Sequence, residues 1–271
     1  MTPAGGGPGE ARPWGRSERP VALVTGAARR VGRAIALELS RAGHDLALHC
    51  HRIDADAEAA LAEVRALGTG ADAFEADLAD AARAGALVDA VVARCGRLDV
   101  LVNNASAFEY DDIAAFEPAR LQRHCAVNTV APVLLARALH GHLRSRGARG
   151  CAVNLLDQKL WNPNPDYFSY TLSKAALESA TTLLALALAP ELRVAGVAPG
   201  VTLPSGAMTA AQFDAAHRMT PLGRASTPED VARAVRFLVE SPAVTGTTLL
   251  VDGGQHLAAQ RRDVLFLGET G

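Results

Sequence analysis

Tyr170 and Lys174 lie four residues apart, and Asp157 stands thirteen residues before the tyrosine. In a helix running from Ser169 to Leu188, that spacing brings phenol and ammonium onto one face, one turn apart. A fixed cation favours the phenolate, so Lys174 is expected to lower the Tyr170 pKa and make the phenol a usable proton donor. The pair alone also arises by chance. The elements around it must decide whether it is catalytic.

The first such element is the continuous apolar run Val21-Ala22-Leu23-Val24, the mark of a strand buried on both faces. It leads into Thr25-Gly26-Ala27-Ala28-Arg29-Arg30-Val31-Gly32, then a helix that Gly43 stops. Strand, glycine turn and helix form the first half of a dinucleotide-binding unit, in which helix N-terminal N–H groups receive a pyrophosphate. The segment from Gly26 through Arg29, Arg30 and Val31 to Gly32 is therefore the candidate cofactor turn. Its glycines are spaced G-x-x-x-x-x-G in place of the usual G-x-G-x-x-G, and glycine serves any strand-to-helix turn.

Asp45 to Cys50 reads as the second strand. At its end an NAD enzyme would carry an acidic residue for the ribose 2′-hydroxyl, whereas this chain has His51-Arg52. A carboxylate there repels a 2′-phosphate and a guanidinium holds it, so the cofactor expected is NADPH. Arg52 and Arg29 are the candidate cations, with His51 beside them; Arg52 reads equally well as a solvated loop residue.

The pattern then repeats. A helix from Asp54 to Leu67 precedes a strand from Ala71 to Ala76, which ends at Asp77-Leu78. A helix from Asp80 to Cys95 precedes the strand Asp99 to Val102 and then Asn103-Asn104-Ala105-Ser106. Strands alternating with helices imply right-handed crossovers and an α/β chain: a single-domain, Rossmann-type, doubly wound parallel sheet of about seven strands with helices on both faces. Ligands bind beyond the carboxyl ends of such strands, where Asp77, Leu78, Asn104, Ala105, Ser106 and Phe108 belong. Asp77 reads either as an adenine contact or as a helix N-cap.

Leu121 to Arg144 reads as one long apolar helix containing Asn128, an amide that needs partners if buried. It either satisfies a backbone bulge or anchors a water next to Lys174. A fifth strand, Cys151 to Leu155, ends just before Asp157, and Pro163 and Pro165 hold the next loop out of a helix until about Tyr167. The sixth strand, Leu192 to Ala198, runs into Pro199-Gly200. The unpatterned stretch from Thr202 to about Leu222 is the natural place for a substrate lid. Thr227-Pro228 starts another helix, and Thr247 to Val251 is a final strand before Asp252-Gly253-Gly254.

With 271 residues and 49% hydrophobic content, the chain can bury a substantial core. The domain is expected from 21 to 257, between a disordered Gly/Pro/Arg-rich tail at 1–20 and a C-terminal tail at 258–271. Leu265, Phe266 and Leu267 suit that second tail to docking, on its own chain or on another subunit. A net charge of −2 gives no basic footprint, hence no case for nucleic acid. No apolar run spans a membrane, and no secretory h-region is present. Cys50, Cys95, Cys125 and Cys151 form no C-x-x-C pair and read as buried thiols of a reducing, cytoplasmic protein, not as metal ligands.

Taken together, these motifs resemble the short-chain dehydrogenases/reductases over roughly Val21 to Leu257. Thr25-Gly26 to Gly32, Asn103-Asn104-Ala105, Asn128, Tyr170-x-x-x-Lys174, Pro199-Gly200 and Asp252-Gly253-Gly254 fall in that family's order. The resemblance implies that Tyr170 is the catalytic acid/base, that Lys174 holds the nicotinamide ribose, and that Asn128 supports a proton-relay water. It also implies a cofactor seat that includes Pro199 and Gly200, and a homotetramer built around the long helices. Two departures, Arg30 for a third glycine and Asp157 for a catalytic serine, are similar to the pteridine reductase branch, including bacterial dihydromonapterin reductases. By that likeness Phe108 stacks on a pterin ring, Ser106 and Arg30 line its pocket with Asp157 and Tyr170, and Arg52 binds the 2′-phosphate.

The carboxylate of Asp157 also bears on the substrate by its own chemistry. A carboxylate facing a ketone repels the developing oxyanion, whereas a serine donates a hydrogen bond to it. Reduction of a ring C=N delivers a proton to nitrogen, which a carboxylic acid of raised pKa can relay. The aspartate thus favours imine-like substrates; its other reading is a loop-capping carboxylate. The activity expected is reduction of a dihydropterin of the dihydromonapterin, dihydrobiopterin or dihydrofolate type. The alternatives are an NADP(H)-dependent carbonyl reductase and a non-catalytic NADP-binding regulator.

Overall fold

The computed structural model describes residues 18–204, 208–258 and 260–266. The expected N-terminal tail up to residue 17, and Leu267, lie outside the described residues. Seven parallel strands form one sheet in the order β3-β2-β1-β4-β5-β6-β7: β1 (Val21–Thr25), β2 (Asp45–Cys50), β3 (Ala71–Glu75), β4 (Val100–Asn103), β5 (Gly150–Leu155), β6 (Leu192–Pro199) and β7 (Thr248–Val251). The order reverses between β1 and β4, and such a switch opens a crevice beyond the carboxyl ends of those strands.

Strand β1 is buried throughout because alternate side chains feed two cores. Ala22 and Val24 join Ile35, Leu39, Val64 and Val235, from α1 (Arg30–Arg41), α2 (Ala55–Ala66) and α8 (Pro228–Glu240). Val21 and Leu23 join Val88, Val91, Leu135, Leu139 and Ala185, from α3 (Ala81–Cys95), α5 (Ala131–Arg146) and α6 (Phe168–Ala187). Each fully buried Leu or Ile contributes about 1.5–3 kcal/mol. The sheet is therefore fixed by its interior, and the polar residues at its edge are released for other work.

Caps set the helix starts. Asp54 accepts from Ala57 N, and Asp80 accepts from Ala82 N and Arg83 N, so Asp80 and not Asp77 is the N-cap of α3. Thr227 and Asp230 form a capping box with Pro228 in the first turn of α8.

Two expectations are corrected. The single helix expected from Leu121 to Arg144 is α4 (Pro118–Cys125), a π-turn (Ala126–Val130) and α5. Pro132 has no N–H to return to the Asn128 carbonyl, which suits the wider turn at this point. The stretch after Thr202 is not wholly irregular, because Thr209 and Gln212 cap a helix, α7 (Ala210–Arg218). Residues 260–266 fold back on their own chain. Arg262 grips Asp166 through three contacts of 2.8–3.0 Å, and Phe266 packs edge-on against Tyr110. No helix of the described residues is long and apolar enough to cross a membrane.

Candidate active site

A cleft of about 780 Å³ opens at the switch point, lined by Gly26, by Arg29 to Gly32, by Ala76 to Leu78 and by Asn104 to Phe108, with Tyr170 on its wall. A smaller pocket of about 190 Å³ shares Arg30, Val31, Phe108 and Tyr170 with it and adds Asp157, Gln158, Lys159 and Gly200.

Asp157 follows β5 directly, and its two carboxyl oxygens do different things. Oδ1 accepts Lys159 N at 2.8 Å and caps the short 3₁₀ turn Gln158–Leu160. Oδ2 accepts the Tyr170 hydroxyl at 2.8 Å. Burial raises the Asp157 pKa against the opposing pull of the Lys159 N–H, Tyr170 and both lysines. Lys174 lies one turn beyond Tyr170, 3% exposed, with its ammonium 5.7 Å from the tyrosine ring centroid and bonded to Leu155 O at 2.7 Å.

A hydrogen bond to a charged group returns about 1.5–3 kcal/mol, less than the several kcal/mol that burying an ammonium costs. Burial therefore wins, and the Lys174 pKa falls to about 8 although Asp157 pulls it upward. The expectation for Tyr170 is reversed for the same reason. Burial first, then the Asp157 carboxylate, push its pKa well above the ordinary phenol value. Without ligand, Tyr170 is a firmly protonated donor aimed at Asp157.

The start of α6 is held from outside. Tyr167, at the left-handed φ of +53°, turns the chain into the helix, and buried Asp111 accepts Ser169 N at 2.9 Å and Ser169 Oγ at 2.5 Å. His124 lies edge-on to Tyr170, accepting Glu109 N and donating to Arg120 O.

Asn128 pairs with Ala107 as a strand would, accepting its N–H at 2.7 Å and donating to its carbonyl at 2.9 Å. It also accepts from Ser106 Oγ and donates to Ser173 Oγ. Three of these contacts hold the 105–108 loop and the fourth reaches α6, and none is to Lys174.

At the cofactor end, Gly26 has φ +64°, and a Cβ on Gly32 would meet Gly26 O at 2.2 Å. Asn104 Nδ2 donates to Thr25 O and Gly26 O, while Thr25 Oγ1 accepts from Asn104 N and Ala105 N. Buried His49, overlooked as a site residue, accepts Gly26 N at Nδ1 and donates to Ala76 O. Asp77 accepts Ala79 N at 2.9 Å and faces His51 Nδ1 at 3.9 Å. Leu78 lines the cleft beside it. Arg29 also lines the cleft but is paired with Asp54 and, at 2.7 Å, with Asp56. Arg52 is exposed and is not among the residues lining the cleft. Pro199 ends β6, and Gly200 has no room for a side chain against Gln255 and Asp252.

At the other end, Arg30 takes φ +52° and reaches Pro204 O at 3.0 Å. Phe108, 43% exposed, stacks on Tyr167 with ring centroids 4.4 Å apart and meets the Tyr170 edge at 4.7 Å. Tyr167, Gln158, Lys159 and Asp263 also line the smaller pocket, and none was expected there. One signal was in the sequence: Lys159 and Lys174 are the chain's only lysines, against 25 arginines.

The comparisons with known proteins agree with this geometry. Residues 26–256 match the family model described as Enoyl-(Acyl carrier protein) reductase. Pteridine reductase 1 of Leishmania tarentolae is 35% identical, covering 88% of this chain and 96% of that protein. A Streptomyces violaceoruber protein named as a granaticin polyketide synthase ketoacyl reductase is also 35% identical, covering 89% and 97%. The crystal structure of FolM alternative dihydrofolate reductase 1 from Brucella canis, complexed with NADP, superposes with a TM-score of 0.83 at 40% identity, covering 90% of this chain and 97% of that one. With the family match spanning most of its length and the Tyr170–Lys174 pair set at the switch point of a parallel sheet, the chain belongs to the short-chain dehydrogenase/reductase family of oxidoreductases.

Proposed function

We propose that this protein is an NADPH-dependent pteridine reductase, which adds hydride to a ring C=N of a dihydropterin and yields a tetrahydropterin. The observation that carries the reading is the 2.8 Å hydrogen bond from Tyr170 to a buried Asp157 carboxyl, at the position where a ketone reductase needs a donor for its oxyanion. Overall identity does not separate the two chemistries, since the pteridine and ketoacyl reductase relatives match equally well. The aspartate favours the first.

The glycine turn fits a dinucleotide. Gly26 and Gly32 leave it bare, and Arg29, the N-cap of α1, offers no side-chain acceptor to the first-turn N–H groups, which suits them to a diphosphate. The NADP in the similar Brucella structure supports the same cofactor here. Arg29, on the cleft wall, supplies positive charge for a 2′-phosphate, with Arg52 on the exposed surface after β2 as a second cation. The Arg29 pairs with Asp54 and Asp56 are solvent-exposed and exchange at little cost. Bound NADPH supplies the hydride. A proton leaving Asp157 for the ring nitrogen is replaced from the Tyr170 hydroxyl aimed at the same carboxyl, and the Lys174 ammonium steadies the phenolate that results. Phe108, backed by Tyr167, offers a flat bicycle an aromatic face, and Arg30 and Ser106 lie beside it. Asn128 serves by holding the 105–108 loop.

We further expect a cytoplasmic homotetramer. Leu172, Leu183 and Leu186 of α6 are 43%, 65% and 76% exposed, an apolar row suited to a second copy, and size-exclusion chromatography tests it. The activity is tested by NADPH oxidation against dihydropterins, dihydrofolate and a panel of ketones, with Tyr170→Phe as the blank. Turnover of ketones but of no pterin would replace this reading with the carbonyl reductase.

A further inference from the structure

The smaller pocket holds groups that proton transfer leaves unused. Gln158 is 8% exposed, and its Oε1 is buried without a hydrogen-bond partner among the described residues. A buried amide oxygen with no donor to accept from is a destabilising feature that needs a reason. Lys159, beside it, is 4% exposed. Its ammonium lies 5.3 Å from the Tyr167 ring centroid and donates to Asp263 Oδ2 at 3.3 Å, so among the described residues one of its three donors is spent. Asp263 comes from the C-terminal segment, where the Asp166–Arg262 grip and the bond from Asp263 N to Asp166 Oδ2 at 2.7 Å hold it in place. Among the described residues its Oδ1 takes only a 3.2 Å contact from Leu265 N. Gln158, Lys159 and Asp263 line one pocket with Asp157 and Tyr170.

We propose that Gln158, Lys159 and Asp263 are specificity-determining residues that read the substituent on the substrate ring, accepting a neutral hydroxyl-bearing chain and disfavouring a carboxylate-bearing one. The inference rests on the pteridine reductase reading. Its physical basis is charge balance. The Lys159–Asp263 pair is neutral as a unit, so an incoming carboxylate meets the Asp263 carboxylate beside the ammonium it seeks and must displace it. A hydroxyl suits the same place. It donates to the free lone pairs of Asp263 and accepts from Lys159, and rotation of the Gln158 amide gives it a further partner. A pair that merely fastens the C-terminal segment would affect every substrate alike.

The test is the ratio of kcat/KM for a dihydropterin carrying a trihydroxypropyl chain to that for dihydrofolate, measured with NADPH in wild type, Asp263→Ala, Lys159→Met and Gln158→Leu. Taking the ratio cancels any general loss from a loosened segment, and Lys159→Met keeps the pocket filled if Asp263→Ala folds poorly. The wild-type ratio is expected to favour the hydroxylated substrate. It should fall about tenfold or more in Asp263→Ala, where Lys159 is freed for the glutamate carboxylates, and fall through a raised KM for the hydroxylated substrate in Gln158→Leu. Ratios within about twofold of wild type in all three variants, with pterins still reduced, would overturn this inference alone. Failure of every protein to oxidise NADPH with any pterin would overturn the parent reading, and the inference with it.

Discussion

The Tyr170 hydroxyl lies 2.8 Å from Asp157 Oδ2 while Asp157 Oδ1 holds the backbone of Lys159 at the same distance. One carboxyl thus both caps a turn and receives a proton donor. The capping bond fixes its rotamer, which keeps the second oxygen aimed at Tyr170; the two readings of this aspartate are one arrangement. Since burial raises its pKa, the carboxyl takes up a proton more readily than a free aspartate does.

Asp157→Asn keeps the shape and removes the titration. Pterin reduction should fall by roughly 10²–10⁴ in kcat, the usual size of a lost acid-base group. The wild-type rate should rise as pH falls through the raised Asp157 pKa, and that limb should be missing in the variant. Asp157→Ser is the discriminating partner: turnover preserved or improved on a ketone, with none on pterins, would favour the carbonyl reductase.

Lys174→Met tests the cost of the buried ammonium. The folded pKa of about 8 lies below the ordinary 10.5. Between those values the unfolded chain binds a proton that the native protein does not, so stability rises with pH across the window, and below it the penalty is fully present. Chemical denaturation should find the variant more stable than wild type at neutral pH, with the gap closing as pH rises from about 8. The buried thiols of Cys50, Cys95 and Cys151, pushed up to about 11, 12 and 11, shed stability over part of that range in both proteins and cancel in the difference. A gap independent of pH would sink this account.

Gly32→Ala tests the cofactor turn. The added methyl would sit 2.2 Å from Gly26 O and 2.5 Å from Asn104 Nδ2, so the turn and the residue that pins it must both move. Overpacking of this kind costs about 1–3 kcal/mol, and the NADPH Kd should rise at least about tenfold. Gly85→Ala on α3, with nothing near its added Cβ, is the control and should gain about 0.5–1 kcal/mol. Unaltered NADPH affinity in Gly32→Ala by fluorescence titration would rule out this seat.

What the sequence made legible is what short-range pattern encodes. The run before Gly26 reads as β1 because both of its faces are buried, and Tyr170 and Lys174 share a face because helix geometry fixes it. The capping box Thr209-x-x-Gln212 was equally local, yet the irregular residues around it hid α7. Other features depend on distant partners. Lys159 meets Asp263 across 104 positions, and Asn128, inside the π-turn ahead of Pro132, meets Ala107 across 21. Spacing placed Lys174 near Tyr170 but carried no account of desolvation, so the sign of the tyrosine shift was missed. Arg29 likewise looked free until Asp54 and Asp56 folded against it.

Asn128→Ala separates anchoring from proton relay. The substitution leaves Ala107 N and Ala107 O without their partner, while Ser173 Oγ keeps its bond to Tyr170 O, and each group left unpaired costs up to about 1–3 kcal/mol. An anchor predicts a lower denaturation midpoint together with a higher KM for NADPH, because the loosened 105–108 loop lines the cofactor cleft. A relay predicts a fall in kcat with stability and KM unchanged. Asn128→Asp sharpens the contrast, since it keeps the acceptor for Ala107 N but turns a second oxygen toward Ala107 O, and it should destabilise at least as much as alanine at neutral pH. A wild-type denaturation midpoint in both variants would leave the anchor without support.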